Sequence, residues 1–403
     1  MEIRPILSSL KRSRIALILI GLQIALTLAI VCNALFIVVQ RVDRMQRPSG
    51  IDEADTFEVS SLGFGAHYDV RAAVRQDLTT LRALPGVVDV TPINRVPMGL
   101  AGWSTAISLN LEQKTPTTST AIYMVDDHAI NSLGANLVAG RNFTPGEIEF
   151  RDLHDPDWPP GVIITRALAE RLFPGKEAVG QSFYLDQRQP GNTVIGVVER
   201  LQAPWLGTAE TEYSTLVPQI RPYGLESRYL IRAQPGRRDE LMSRAEEALG
   251  RINTSRIVRN LESMQDVRHD GYKSDRMMAV VLGIVVALLL AITALSVVGM
   301  ASFWVAQRTR QIGTRRALGA SRADIRHYFQ TENFIITSLG LVGGGVLAYA
   351  LSIWLMRAYE VPRLPWYYVP VGFIVLWLLG QLAVLGPALR ASRVPPAVAT
   401  RSV

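Results

Sequence analysis

Four uncharged apolar stretches divide this chain unevenly: 15–39 near the start, then, after a long polar interval, 277–305, 334–356 and 366–389. Each exceeds the roughly 20 residues that a helix rising 1.5 Å per residue needs to cross the hydrocarbon layer of a membrane. The interval 40–276 is too long and too polar for a loop, so the pattern predicts a folded domain held between the first span and the other three. This one-plus-three layout limits what the chain can be more than any single residue does.

Charge assigns the sides. The formal net charge is +7, but it is concentrated. Segments 1–14, 306–333 and 390–403 together carry 13 Lys/Arg against 3 Asp/Glu, whereas 40–276 holds 27 basic and 31 acidic residues. Short loops rich in Lys/Arg stay cytoplasmic. All the short segments then agree on one orientation, with both termini inside and the 40–276 domain outside. The basic residues flank spans and do not gather on one soluble face, which argues against a nucleic-acid partner. The stretch 15–39 is too long for a signal-peptide core and no A-x-A site follows it, so it reads as a retained anchor. The only cysteine, Cys32, lies within that stretch. The outer domain therefore has no disulfide and must rely on its hydrophobic core.

Local patterns fill in the segments. Ile3, Ile6, Leu7 and Leu10 follow helical spacing ahead of Lys11, Arg12 and Arg14. They predict a cytoplasmic amphipathic helix over 1–14, with a frayed basic tail as the alternative. In the outer domain a strand is expected at 56–62. A helix follows, capped by Asp69 and carrying Val70, Ala73, Val74, Asp77, Leu78, Leu81 and Leu84 on one face, all apolar but Asp77. Pro85-Gly86 stops it and 87–93 reads as a strand. The same order returns at 227–232, 239–251 and 255–258. Two βαβ units far apart in sequence predict an α+β domain, a split ferredoxin-like layer with a mainly-β lobe inserted at about 97–225. Within that lobe, the alternation of Ile107, Leu109 and Leu111, and the stretches 121–125, 162–164, 182–185 and 193–198, read as strands, and 165–172 as a short helix. The run H-D-P-D-W-P-P-G at 154–161 reads as a loop. Residues 260–276 are expected to form a helix leading into the second span. The turn between the last two spans is 357–365, and 390–403 forms a tail.

Catalytic chemistry finds little support. None of His67, His128, His154, His269 and His327 is paired at H-x-H or H-E-x-x-H spacing. Asp126-Asp127-His128 could ligate a metal, but an Asx turn after a strand explains it better. No G-x-x-x-x-G-K-[ST] sequence is present, and Gly343-Gly344-Gly345 lies inside a span with no lysine after it, so no cofactor site is expected in this chain. Gly340 and Gly344 make a G-x-x-x-G suited to close helix packing, within the chain or at a dimer interface. Gln23, Asn33 and Gln381 should face other helices rather than lipid.

The most specific segment is R-Q-I-G-T-R-R-A-L-G-A-S-R-A-D-I at 310–325. It reads as two helical pieces broken at Gly319, with Ser321 capping the second and Asp324 at the capping-box position. Apolar Ile312, Leu318 and Ile325 among arginines suit a surface that docks on a cytoplasmic partner while the arginines meet lipid phosphates; an ordinary positive-inside loop is the alternative.

This run resembles the (E)-I-G-x-R-R-A-L-G-A motif of the MacB/FtsX-type ABC transporter permeases. The ending P-A-L-R-A-S-R-V-P-P-A-V-A at 387–399 is similar to that family's P-A-x-R-A-a-r-x-x-P-x-x-A. L-F-P-G-K-E-A-V-G at 172–180, with V-I-G-V-V at 194–198, is similar to a stretch of the family's outer domain. The resemblance implies that Gln311, Ile312, Gly313, Arg315, Arg316, Ala317, Leu318, Gly319, Ala320, Asp324 and Ile325 belong to a surface that receives a separate cytoplasmic ABC ATPase. That ATPase would bind the ATP and Mg. It also implies a second permease copy, identical or not, and leaves room for a periplasmic adaptor and an outer-membrane duct. The implied activity is conversion of ATP-driven movement inside into movement outside, and with it substrate export. The alternative is a scaffold that uses the same movement to activate an envelope hydrolase or sensor; a membrane-tethered ectoenzyme is a third reading. Gln311 stands where the family commonly has Glu. That removes one possible exposed ion pair, worth about 0–1 kcal/mol.

Overall fold

The computed structural model describes residues 14–153, 155, 157–359 and 362–395. Of the helix expected over 1–14, residues 1–13 lie outside them. The chain divides into two compact units, Met1–Met45 with Asp275–Val403, and Gln46–Ser274. The first unit opens with helix α1 (Arg14–Met45).

The Gln46–Ser274 unit starts with β1 (Thr56–Gly63), α2 (Val70–Arg82) and β2 (Val87–Pro92). Asp69 caps α2, its Oδ1 accepting from the amides of Arg71 at 2.9 Å and Ala72 at 3.1 Å. This satisfies donors that the first turn leaves free. The chain then builds a second lobe from β3 (Trp103–Ser108), β4 (Thr118–Val125), α3 (Ala129–Leu133), β5 (Leu137–Gly140), β6 (Glu149–Phe150), β7 (Gly161–Thr165), α4 (Arg166–Leu172), β8 (Ser182–Leu185), β9 (Asn192–Val198) and β10 (Ser214–Ile220). It returns through β11 (Glu226–Ala233), α5 (Arg238–Ile252), β12 (Arg256–Ser263) and α6 (Met264–Gly271).

Two sheets result. The first has the order β12-β1-β11-β2, every pairing antiparallel, so β1 sits between two strands that arrive more than 160 residues later. Phe57, Val59, Tyr229 and Ile231 from its centre pack on Val74 and Leu81 of α2 and on Leu241 and Leu249 of α5. The second follows the path β4-β3-β8-β9-β7-β10-β6. An additional parallel pairing of β10 with β4 closes the path into a ring and leaves few open edges. Its core gathers Ile122, Val162, Ile164, Phe183, Leu185 and Val194.

Some details differ from the sequence reading. β3 ends at Ser108, and Leu109 and Leu111 fall in the following turn. There the amide of Leu109 bonds the Gln113 side chain at 3.1 Å and the Thr117 amide bonds the Ile107 carbonyl at 2.8 Å. Residues 260–263 are strand, because β12 pairs with β1 as far as Ser263 opposite Phe57. Ser263 then caps α6, and a turn at Tyr272 separates α6 from the next helix.

That helix is α7 (Lys273–Gln307), followed by α8 (Thr309–Ala317), α9 (Arg322–Tyr359) and α10 (Tyr368–Ser392). Among the described residues, α1, α7, α9 and α10 are the helices long and apolar enough to cross a membrane. α1 packs against α9 and α10 through Ile24, Leu28, Cys32, Ile336, Leu341 and Leu376. Gly340 and Gly344 make the α1–α9 approach possible: a Cβ on Gly340 would lie 2.9 Å from the Gly21 carbonyl, and one on Gly344 2.9 Å from the Ala25 Cα. Three polar residues of this unit turn inward. Gln23 donates to Ser296 Oγ at 2.9 Å, Asn33 to the Ala348 carbonyl at 3.0 Å, and Gln381 to the Gln330 carbonyl at 3.4 Å. In hydrocarbon such groups have no water to turn to. Val280, Ile284, Leu288, Ile292 and Leu295 of α7 are exposed, as a lipid-facing surface requires.

Candidate functional site

The arginine-rich segment between α7 and α9 is an ordered helix–turn–helix. α7 gives way at Arg308, whose Nη1 lies 3.0 and 2.9 Å from the two carboxylate oxygens of Glu332 on α9. Its guanidinium also stands 5.6 Å from the Trp304 ring centroid. Glu332 is buried, so this pair fixes where α8 begins relative to α9. α8 stops in a Schellman turn: the Ala320 amide reaches back to the Arg315 carbonyl at 3.0 Å and the Gly319 amide to that of Arg316 at 3.2 Å. Gly319 takes φ +101°, which a side chain would resist. Ser321 and Asp324 then form a reciprocal cap: the Ser321 amide and hydroxyl donate to Asp324 Oδ2 at 2.9 and 2.7 Å, and the Asp324 amide donates to Ser321 Oγ at 3.2 Å.

The segment has an inner and an outer side. Ile312, Ile325 and Phe329 pack with Ala388 and Ala391 of α10, and Gly313 is buried with them. Here the structure corrects the sequence reading, which put Ile312, Gly313 and Ile325 on the surface offered to a partner. The helical period carries Ile312 and Ile325 onto the face that seals α8 and α9 against α10. Arg316 is also structural, its Nη1 donating to the carbonyls of Ser392 at 3.1 Å and Val394 at 2.8 Å. Arg315 stacks over Tyr328 at 4.8 Å. What remains outward is Gln311, Arg315, Ala317, Leu318, Gly319 and Asp324, with Ala320 partly covered. Leu318 is 84% exposed, a large apolar side chain at the tip of a turn braced from both sides. Gly340 and Gly344 lie along α9 against α1, away from this turn in sequence.

The other residues marked in the sequence do structural work. Asp126 Oδ1 accepts from the His128 amide at 3.0 Å, an Asx turn, and from Thr91 Oγ1 at 2.7 Å, while its Oδ2 meets Arg82. His128 Nδ1 pairs with Asp89 Oδ1 at 2.8 Å. Among the described residues no group of three metal-ligating side chains converges. Of the loop at 154–161, residues 154 and 156 lie outside the described set. Sequence reasoning missed the Arg308–Glu332 fork. Its one signal was a lone acid two residues ahead of an apolar stretch, facing an arginine three residues after another.

The architecture defines a polytopic membrane protein with a large mixed α/β domain between its first two long apolar helices, and a braced basic turn between the second and third. The profile of the MacB-like periplasmic core domain matches residues 15–248, and that of the FtsX-like permease C-terminal domain matches 283–396. The chain belongs to the MacB/FtsX-type ABC transporter permeases. It is 24% identical over 312 residues to the macrolide export ATP-binding/permease protein MacB of Chromobacterium violaceum, covering 76% of this chain and 45% of that protein. The chain thus spans less than half the length of that relative. It is also 24% identical over 312 residues to the uncharacterized ABC transporter permease YknZ of Bacillus subtilis, covering 74% of each. The crystal structure of the extracellular domain of YknZ from Gram-positive bacteria aligns with 51% of this chain and 100% of its own, at 16% identity and a TM-score of 0.33.

Proposed function

We propose that this chain is the permease subunit of an ABC exporter, a lever driven by a separate cytoplasmic ATPase that binds ATP and Mg, with no cofactor in the chain itself. The exposed Leu318 on its braced turn carries the reading. An apolar side chain held out between basic residues is suited to a pocket on a partner, and the Arg308–Glu332 fork and the Arg316 clamp would pass a push on α8 into α7, α9 and α10. The charge distribution supports placing this turn, both termini and the partner on the cytoplasmic side of the inner membrane, with one span before the outer domain and three after it. The strand order β12-β1-β11-β2 supports a split ferredoxin-like layer with an inserted lobe. In this reading a second permease copy pairs with the first, an adaptor and outer-membrane duct complete the route, and closure of the ATPases moves the paired outer domains against a substrate already beyond the bilayer.

The test is the complex co-purified with its ATPase. Leu318→Asp changes an exposed position and should leave the permease folded, yet it should abolish ATPase co-purification or stimulation. Full assembly and full activity in that variant would remove the turn from the coupling role.

A further inference from the structure

The Gln46–Ser274 unit contains a cavity of about 150 Å³ between its two sheets, reached from β2, β3, β10 and β11. Its walls are apolar: Val74, Ile93, Met124 and Ile220. Its rim is aromatic, with Trp103 edge-on to Trp158 at 6.4 Å and Tyr223 exposed beside it. Four charged side chains line it: Arg95, Arg221, Glu226 and Arg228. Two of these are neutralised. Arg228 pairs with Glu58 and Glu226, and Glu226 also with Arg259 at 3.0 Å.

The other two make no ion pair among the described residues. Arg221 is only 7% exposed, and its Nε is buried with no hydrogen-bond partner. Its Nη2 reaches the Asp157 carbonyl at 3.4 Å, and its guanidinium stands 5.8 Å from the Trp158 ring centroid. The nearby carboxylates of Asp155 and Asp157 are turned to Arg151, at 2.7 and 3.5 Å. Arg95, half-buried, meets no carboxylate at ion-pair distance among the described residues. Burial pulls the Arg221 guanidinium below its usual pKa, against the opposing pull of Asp155 and Asp157, as expected of a cation held out of water. Buried charges are otherwise paired or hydrogen-bonded, so an unpaired guanidinium lining an apolar cavity calls for an anion.

The backbone beside the rim is strained. Met98 and Leu100 hold φ +65° and +63°, pinned by bonds from their amides to the carbonyls of Ala203 at 3.3 Å and Pro204 at 3.1 Å. Non-glycine residues kept in this region gather at ligand clamps.

We propose that this cavity binds a small organic anion, a carboxylate or phosphate carried on a single aromatic or similarly compact apolar stem. The anion lies between Arg221 and Arg95, and the stem lies against Met124, Ile220 and Trp103. The guanidinium fork matches both oxyanions. The volume, below the 300–1,000 Å³ usual for drug-sized ligands, limits the occupant to one ring or a short chain, whether a free molecule or the end of a larger one.

The experiment is titration of the full-length protein in maltoside micelles with benzoate, followed by ligand-observed NMR against empty micelles. Benzyl alcohol and inorganic phosphate serve as the half-ligands, and decanoate as the longer amphiphile. Benzoate should bind saturably, and both half-ligands at least tenfold more weakly. Decanoate binding tighter than benzoate assigns the site to the end of an amphiphile, and weaker binding assigns it to free aromatic anions. Arg221→Gln and Arg95→Gln should each weaken benzoate at least tenfold. Arg95 is half-exposed, so its variant should keep the parental melting temperature even if the Arg221 variant does not fold. No saturable benzoate binding, equal binding of either half-ligand, or unchanged affinity in the Arg95 variant would each overturn the proposal.

Discussion

Arg256 and Asp77 form an ion pair from which water is wholly excluded: Nη1 lies 2.6 and 2.7 Å from the two carboxylate oxygens, and both side chains are 0% exposed. Tyr229 Oη donates to the same carboxylate at 2.7 Å. The pair joins α2 to β12 under the β12-β1-β11-β2 sheet, while Nε and Nη2 of Arg256 stay without partners.

Removing one member of that pair strands the other. Asp77→Asn should destabilise the domain by about 3–5 kcal/mol, because an unpaired guanidinium is then left in the core. Replacing both, Asp77→Leu with Arg256→Met, should recover most of the loss, since two apolar side chains of similar volume leave nothing unpaired. Thermal unfolding of the full chain in detergent, followed by tryptophan fluorescence, checks both. An unchanged transition in the single variant would show that the pair adds nothing net.

The pair also marks how far the sequence could be read. Asp77 stood out as the one polar residue on an otherwise apolar helical face, so its burial was legible. Its partner was not, because nothing local ties it to a residue 179 positions away. The spans, the βαβ halves and the Asp69 cap follow from periodicity and local chemistry. Strand β10 was missed because Pro218 breaks its pattern; Pro218 lies beyond the β7 pairing, which uses only Thr215 and Leu216, and stands opposite Val125 at the end of the parallel pairing with β4. The 310–325 segment was found by its motif. Its sidedness was not, since residue type alone could not say which apolar members seal against α10 and which stand free.

Close approach of α1 and α9 predicts a steric test in the helical unit. Gly344→Leu places side-chain atoms where a Cβ alone already stands 2.9 Å from the Ala25 Cα and carbonyl oxygen. Backbone cannot give way as a side-chain end can, so the overpacking should cost about 1–3 kcal/mol and lower the melting temperature in detergent. Gly283→Leu on α7, where a Cβ meets nothing within 4 Å, is the matched control and should leave it unchanged. Equal effects from both would mean that the glycine contact is not what holds α1 to α9.

Glu147 gives a pH dependence with a definite sign. Arg141 forks its carboxylate at 2.7 and 2.9 Å, the Thr144 amide and hydroxyl add bonds at 2.8 and 2.9 Å, and its pKa falls from 4.5 to about 2. A depressed carboxylate stabilises the fold above its unfolded pKa and loses that contribution as pH falls through the folded one. The melting-temperature gap between the parent and Glu147→Gln should therefore be constant from neutral pH down to about 5, and narrow as pH falls from about 4.5 towards 2. In an Arg141→Ala background the gap should be smaller and should close at a higher pH, because the folded pKa rises towards the unfolded one. A gap that does not change with acidification would exclude the linkage.

Gly319 offers a test that separates stability from the proposed coupling. With φ at +101° an added Cβ meets no neighbour, so the cost of Gly319→Ala is backbone strain alone, about 1 kcal/mol. That is too little to unfold α8 or α9, whose inner side is held by Ile312, Ile325 and the Arg308–Glu332 fork. The strain acts on the turn that presents Leu318, because relieving it must shift the bonds from Gly319 and Ala320 back to Arg316 and Arg315. Gly319→Ala should thus lower the melting temperature only slightly while reducing stimulation of the co-purified ATPase. Gly319→Asn, the side chain that best tolerates positive φ after glycine, should recover part of the stimulation. If alanine and asparagine were equally harmless to ATPase stimulation, the partner would be reading the charge of the segment and not the shape of this turn.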